Sequence, residues 1–336
     1  MTMHVLDPAP GTVTPLAFHD VVRAAPVLRD VVARTPLLRS PEADDLLGRP
    51  VYVKAENTQR TGAYKFRGAY LALSRIPPLD RARGIVTDSG GNHAHAVALA
   101  GRLLGAPVTA ILPDDSDDLT RSAITALGAT VVLHHPDEIA EPLVRRLLAQ
   151  GHTLLRHNGH RNLISGAGTV ALEMMQDAAD LEALLVPLGS GTLAAGAALV
   201  TQHHPGVRVF GFEPSAAAGT QRSLSVGRRL SGTASATSAC CLRRDPARLP
   251  FAIIQQHLYH QVLTVTEADI ARAMSVLWRY FGQVAEPSGA VALAGLLAHS
   301  QQLPDGPVGV VLSGGNIDPR HFRQGLEATS PCADTA

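Results

Sequence analysis

The chain has 336 residues, 46% of them hydrophobic and 17% charged, a globular balance without a disorder signature and long enough to bury one large core or two medium ones. Lys plus Arg equals Asp plus Glu at 29 each, which leaves no global field for nucleic acid or an anionic membrane. No apolar run reaches the roughly 18 residues of a bilayer span, and no basic-then-apolar leader is visible, so a cytoplasmic protein without a membrane partner is expected.

Residues 1 to about 16, with Pro8, Pro10 and Pro15, read as a loose arm. Next comes Thr61-Gly62-Ala63-Tyr64-Lys65-Phe66-Arg67-Gly68-Ala69. A lysine between two aromatic residues in a glycine-bounded turn reads as an amine held in an apolar place, the setting an imine-forming lysine needs. The plain alternative is a lysine that snorkels from a half-buried helix start. Gly84 to Thr87 reads as a strand, followed by a helix from about Asn92 to Leu104 that stops at Gly105. Pro107 to Leu112 is the next strand, then a helix from about Asp118 that ends at Gly128, the strand Thr130 to Leu133 and a helix around Glu138 to Leu148. A second series holds the helix around Thr169 to Met175, the strand Leu184 to Leu188, a helix after Gly191 and the strand Val207 to Phe212. Ile270, Met274, Leu277 and Phe281 share one helical face, Val308 to Leu312 is a fully apolar strand, and 326–336 reads as a disordered tail. Such alternation predicts an α/β fold of two doubly wound domains with mostly parallel sheets.

Ligands collect where strands of such sheets run into helices. Three junctions are rich in small polar residues: Thr87-Asp88-Ser89-Gly90-Gly91-Asn92-His93, Leu188-Gly189-Ser190-Gly191-Thr192-Leu193, and Leu312-Ser313-Gly314-Gly315-Asn316. Glycines there let backbone N–H groups approach an anion, and the helix start favours negative charge. Gly189 to Ala194 also imitates the G-x-G-x-x-A dinucleotide fingerprint, with Glu213 placed like a ribose-binding acid. That alternative, an NAD-linked oxidoreductase, leaves Lys65 and the two other loops unexplained. Three histidine pairs have ligand-like spacing (His93/His95, His157/His160, His257/His260), but no cysteine joins them at finger spacing, so no metal site is expected. Cys240, Cys241 and Cys332 do not make a disulfide framework.

Taken together, Tyr64 to Ala69, Ser89 to His93, Gly189 to Thr192, Glu286-Pro287-Ser288-Gly289-Ala290 and Ser313 to Asn316 occur in the order found in fold-type II pyridoxal-phosphate enzymes. Over about residues 20 to 325 the chain resembles their threonine/serine dehydratase and serine racemase branch. The resemblance implies a tryptophan synthase β-like fold. A large pyridoxal-phosphate-binding domain would be made of 1–83 and 161–325, with 84–160 as a small mobile domain. It implies pyridoxal 5'-phosphate as cofactor, linked as an imine to Lys65, which would later shuttle the α-proton. Gly189, Ser190, Gly191 and Thr192 would cradle the phosphate, Asn92 would bond the ring oxygen, Tyr64 would pack near the ring, and Ser313 would face the ring nitrogen. Glu286 would sit at the cofactor's edge. Ser89, Gly90, Asn92 and His93 would clamp the carboxylate of a small amino-acid substrate. A homodimer is expected.

The implied activity is that of an ammonia-lyase converting L-threonine or L-serine to a 2-oxo acid and ammonia. Several positions depart from the family's pattern. Gly90 stands where the racemases carry a second serine, His95 where a glutamine is usual, and Ala167 where Ser165-Gly166-Ala167-Gly168-Thr169 usually centres on glutamine. Ala239-Cys240-Cys241 lacks an acid, and Gly219 replaces an aspartate of a divalent-cation loop that begins at Glu213. The alternatives are an amino-acid racemase, and a dehydratase of an acidic substrate such as 3-hydroxyaspartate if Arg243 or Arg244 faces the pocket.

Overall fold

The structure, a computed structural model, describes residues 15–89, 91–135, 140–157, 159–231, 236–258 and 261–327. After helix α1 (Phe18–Leu28), the chain forms β1 (Leu37–Leu38), α2 (Pro41–Leu47), β2 (Val51–Ala55), α3 (Lys65–Ser74) and α4 (Pro78–Arg83). A run of shorter units follows: β3 (Ile85–Thr87), α5 (Asn92–Leu104), β4 (Val108–Pro113), α6 (Asp118–Ala126), β5 (Thr130–His134), α7 (Glu141–Ala149) and β6 (Thr153–Leu154). The chain then builds α8 (Arg161–Asp177), β7 (Ala183–Pro187), α9 (Thr192–Thr201), β8 (Arg208–Pro214), α10 (Gly219–Ser225), α11 (Arg248–His257) and β9 (Val262–Val265). It ends with α12 (Glu267–Phe281), α13 (Pro287–His299), β10 (Val308–Leu312) and α14 (Pro319–Glu327).

Two sheets result. One is six-stranded in the order β1-β2-β10-β7-β8-β9, the other four-stranded in the order β5-β4-β3-β6. Every neighbouring pair is parallel except β1 with β2. Helices cover the faces, as expected of strands such as Val308 to Leu312 that are buried along their whole length. The sequence-level α/β reading is therefore met, with three corrections. Helix α8 starts at Arg161, well before Thr169, because its glycines serve packing rather than a turn. Leu326 and Glu327 belong to α14, and 328–336 lie outside the described residues. The helix placed around Glu138 starts at Glu141; Glu138 also lies outside them.

Helix α3 ties the two halves together. Its Phe66, Ala69, Ala72 and Leu73 join the core of the four-stranded sheet. Its other side crosses α8 at a glycine contact. A Cβ on Gly166 would lie 2.6 Å from Gly68 Cα, closer than any side chain tolerates.

Candidate active site

The carboxyl ends of β2 and β10 are in register, with Leu312 opposite Ala55, and the loops beyond them clasp each other. Ala63 forms an antiparallel bridge with Gly314. Tyr64 N–H donates to the Ser313 carbonyl at 3.1 Å, and Gly315 N–H to the Gly62 carbonyl at 3.0 Å. Lys65, the first residue of α3, is thereby held beside Ser313. Its Nζ lies 4.9 Å from the Tyr64 ring centroid. The expected aromatic sandwich is one-sided, since Phe66 is fully buried in the small sheet's core and Lys65 itself is half-buried.

Asn92, at the start of α5, links three motifs. Its Nδ2 donates to Glu286 Oε1 at 2.6 Å, and its Oδ1 accepts from Asn316 Nδ2 at 2.6 Å. Glu286 precedes α13 but makes no cap with its side chain, so its carboxyl serves the site rather than the helix dipole. Burial pushes that carboxyl up to about 8, against the opposing pull of the Asn92 amide. The second Asn92 N–H faces Cys241 Sγ, 3.9 Å from Nδ2, a weak contact that leaves the donor available to a ligand oxygen.

Across from Lys65, α9 starts without a side-chain cap, after Gly191 with φ 85°. Its leading N–H groups therefore remain for an anion, and the Ser190 and Thr192 hydroxyls lie 3.2 Å apart beside them. Tyr64, Lys65, Asn92, Glu286 and Ser313, together with Gly189, Ser190, Gly191 and Thr192, line one chamber. Cys241 and Ser288 line it too; neither was assigned from sequence, although Ser288 stands inside a motif. Ser89 is 7% exposed, and Gly90 lies outside the described residues. The His93 imidazole is buried in a neighbouring cavity, with Nε2 3.3 Å from the Leu155 carbonyl, while its backbone N–H lies in the first turn of α5.

The alternatives fare differently. Glu213 is not free to hold a ribose. Its carboxylate accepts the N–H groups of Thr220 and Gln221 at 3.0 and 2.9 Å, and burial raises it to about 7. Among the described residues, no three His, Cys, Asp or Glu side chains are grouped to hold a metal ion; His260 lies outside them. Arg243 donates to the Thr237 carbonyl, Arg244 is exposed, and neither lines the lysine chamber.

The donor set fits pyridoxal phosphate. Lys65 supplies an amine, the open start of α9 a place for a phosphate, Asn92 an N–H for a ring oxygen, and Ser313 a hydroxyl beside them. An amine at a helix start facing an open helix N-terminus, in a fold of two mostly parallel sheets, defines a fold-type II pyridoxal-phosphate enzyme. The chain belongs to the pyridoxal-phosphate dependent enzyme family, whose model matches residues 28–314. It is 35% identical to the L-threo-3-hydroxyaspartate ammonia-lyase of Saccharomyces cerevisiae over 309 residues, which is 91% of this chain and 94% of that protein. The L-threonine ammonia-lyase of Geobacter sulfurreducens is 37% identical over 87% of this chain and 73% of its own. The crystal structure of serine racemase from Dictyostelium discoideum superposes with a TM-score of 0.85 at 31% identity, covering 90% of this chain and 99% of that one. No helix among the described residues is long and apolar enough to cross a membrane.

Proposed function

We propose that this protein is an ammonia-lyase that converts a β-hydroxy-α-amino acid to a 2-oxo acid and ammonia, with L-threonine and L-serine as substrates. The observation that carries the reading is the convergence of Lys65, the uncapped start of α9 and Ser313 on one chamber. Pyridoxal phosphate, when bound, supplies an electron sink that makes the substrate's α-proton removable. Lys65 Nζ takes that proton. Ser89 and the backbone leading into α5 hold the carboxylate, and Asn92 fixes orientation through its link to Glu286 and Asn316. Ser313 offers a neutral hydroxyl rather than a carboxylate, a weaker partner for a ring nitrogen, which favours rapid loss of the β-hydroxyl. Lys65, now an ammonium, can return a proton to that hydroxyl, which leaves as water. Hydrolysis of the released enamine gives the 2-oxo acid and ammonia.

Elimination needs only the Lys65 face. Gly90 brings no side chain for a second acid or base, which argues against a racemase. A third substrate, L-threo-3-hydroxyaspartate, is favoured by the yeast relative. Magnesium is not required in this reading, because Glu213 is committed to α10 and Gly219 adds no carboxylate. The reading includes a homodimer in the cytoplasm, whose mass light scattering of the purified protein would give.

The test incubates the purified enzyme with each of the three amino acids and measures 2-oxo acid, ammonia and enantiomers. Keto acid without D-amino acid is expected, with and without EDTA. Rapid D-enantiomer formation without keto acid, or rescue by Mg²⁺ alone, would refute it. Borohydride reduction and peptide mapping should place the pyridoxyl label on Lys65; a label on another lysine removes the basis of the assignment.

A further inference from the structure

Lys65 also lines a second, smaller chamber, with Gly68, His93, His157, Leu163 and Ala167 among its walls. The two imidazoles meet edge to face there, their centroids 6.2 Å apart. Three buried nitrogens have no hydrogen-bond partner among the described residues: His93 Nδ1 and both ring nitrogens of His157. His93 is 2% exposed. Its Nε2 faces the Leu155 carbonyl, and a carbonyl only accepts, so Nε2 carries the proton and Nδ1 is left as a bare acceptor. Buried polar atoms are rarely left unpaired. The chamber gives about 10 Å³ to the centre of a water-sized sphere, the size of a site for one water. It opens beside the methyl of Ala167, where the resembling family usually carries a glutamine.

We propose that this chamber is a water site, and that the water, His157 and Lys65 form a proton relay behind the reaction chamber. The inference rests on the reading of Lys65 as the base. His93 Nδ1 anchors the water by accepting one of its protons. The Lys65 ammonium passes a proton to the water, the water passes one of its own to a ring nitrogen of His157, and a solvent water that reaches this part-buried ring takes a proton from the other nitrogen. Only protons move, and the imidazole ends neutral. Burial, with the nearby charges of Lys65, Arg244 and Arg156, holds His157 well below its ordinary pKa, so it hands a proton on rather than keeping it. Where the substrate has no β-hydroxyl to take it up, the proton drawn from the α-carbon is thereby lost to solvent.

L-Alanine, which has no β-leaving group, reads this directly through loss of its α-proton signal in D₂O by ¹H NMR. Washout in the wild type is expected, slowed at least tenfold in His157→Gln, which keeps hydrogen bonding but cannot relay, and in Ala167→Gln, which fills the chamber. Borohydride labelling of Lys65 should be unchanged in both variants. A crystal of the cofactor-free wild type should show one water within hydrogen-bonding distance of His93 Nδ1 and His157. Washout at the wild-type rate in His157→Gln overturns the relay while leaving Lys65 as the base. Wild-type washout too slow to detect, with Lys65 labelled, overturns it as well, and a dry chamber overturns the water site. A label on another lysine overturns both readings. Melting of cofactor-free His157→Gln close to wild type is expected, and supports a relay rather than a structural role.

Discussion

Glu286 couples the site to pH. Its folded-state value of about 8 lies above the ordinary 4.5, so the folded protein keeps a proton that the unfolded chain has released. Its contribution to stability is complete below about pH 4.5 and is lost as pH rises through about 8. Cofactor-free Glu286→Gln lacks this dependence, so the unfolding free energy of wild type relative to the variant, measured by urea titration, should fall between pH 5 and 9 by an amount on the order of a few kcal/mol. A constant difference across that range would show that the carboxyl titrates normally. His93, lowered to about 3 by burial and the charge of Lys65, acts in the opposite sense, losing stability as pH falls below about 6.5; the comparison with Glu286→Gln isolates the carboxyl. Much of the chamber's lining was legible in the sequence, because each loop carries small polar residues at a strand end. The bonds between loops were not. Asn92 and Asn316 are 224 positions apart, and Asn92 and Cys241 are 149 apart; no local spacing announces such contacts. The spacing of His157 from His160 marks it as a metal-ligand candidate, and nothing local ties it to Lys65.

Among the elements, α3 is anchored by a buried charge network that starts two residues after Lys65. Arg67, fully buried, donates to Glu56 at 2.7 Å and to Glu173 at 2.6 Å, and Lys54 Nζ meets Glu173 at 2.7 Å. Thr35 Oγ1 donates to Glu56 at 2.5 Å. Removing Arg67 leaves Glu56 buried with the Thr35 hydroxyl but no counter-charge, and leaves Glu173 with Lys54 alone, so Arg67→Met should cost about 3–5 kcal/mol in urea unfolding. A loss below about 1 kcal/mol would mean that the carboxylates find water instead. Gly166→Ala should push α8 off α3 and cost about 1–3 kcal/mol; a melting temperature equal to wild type would contradict the glycine contact. The longer strands and helices were legible from their periodicity and stops: α5 ends before Gly105, φ 65°, and β10 matches its apolar run. Helix α8 was read short because Gly166 and Gly168 resemble a turn in sequence. Their role is close approach to Gly68 and Gly196, a tertiary fact. Two-residue strands such as β1 and β6 are too short to carry a period.

On the scale of the whole molecule, a cleft of ≈ 710 Å³ opens from the site. Thr120 and Ala123 of α6 stand on one wall, Ile270 and Met274 of α12 on the other, and Asn92 and Glu286 reach it from the chamber. Narrowing this approach should slow substrate entry without touching the lysine. Ala123→Trp is expected to lower kcat/KM about tenfold while borohydride labelling of Lys65 stays complete, and unchanged kcat/KM would show that substrate enters elsewhere. The packing of α3 between the core of the four-stranded sheet and α8 has a mechanical side. If one sheet turned relative to the other with α3 as the axle, displacement would grow with distance from that helix. Thr120 and Ala123 would travel far, whereas Lys65, seated on the axle, would hardly move. In such a turn the amine would stand at a fulcrum, and the doorway would widen or narrow while the reactive nitrogen kept its aim.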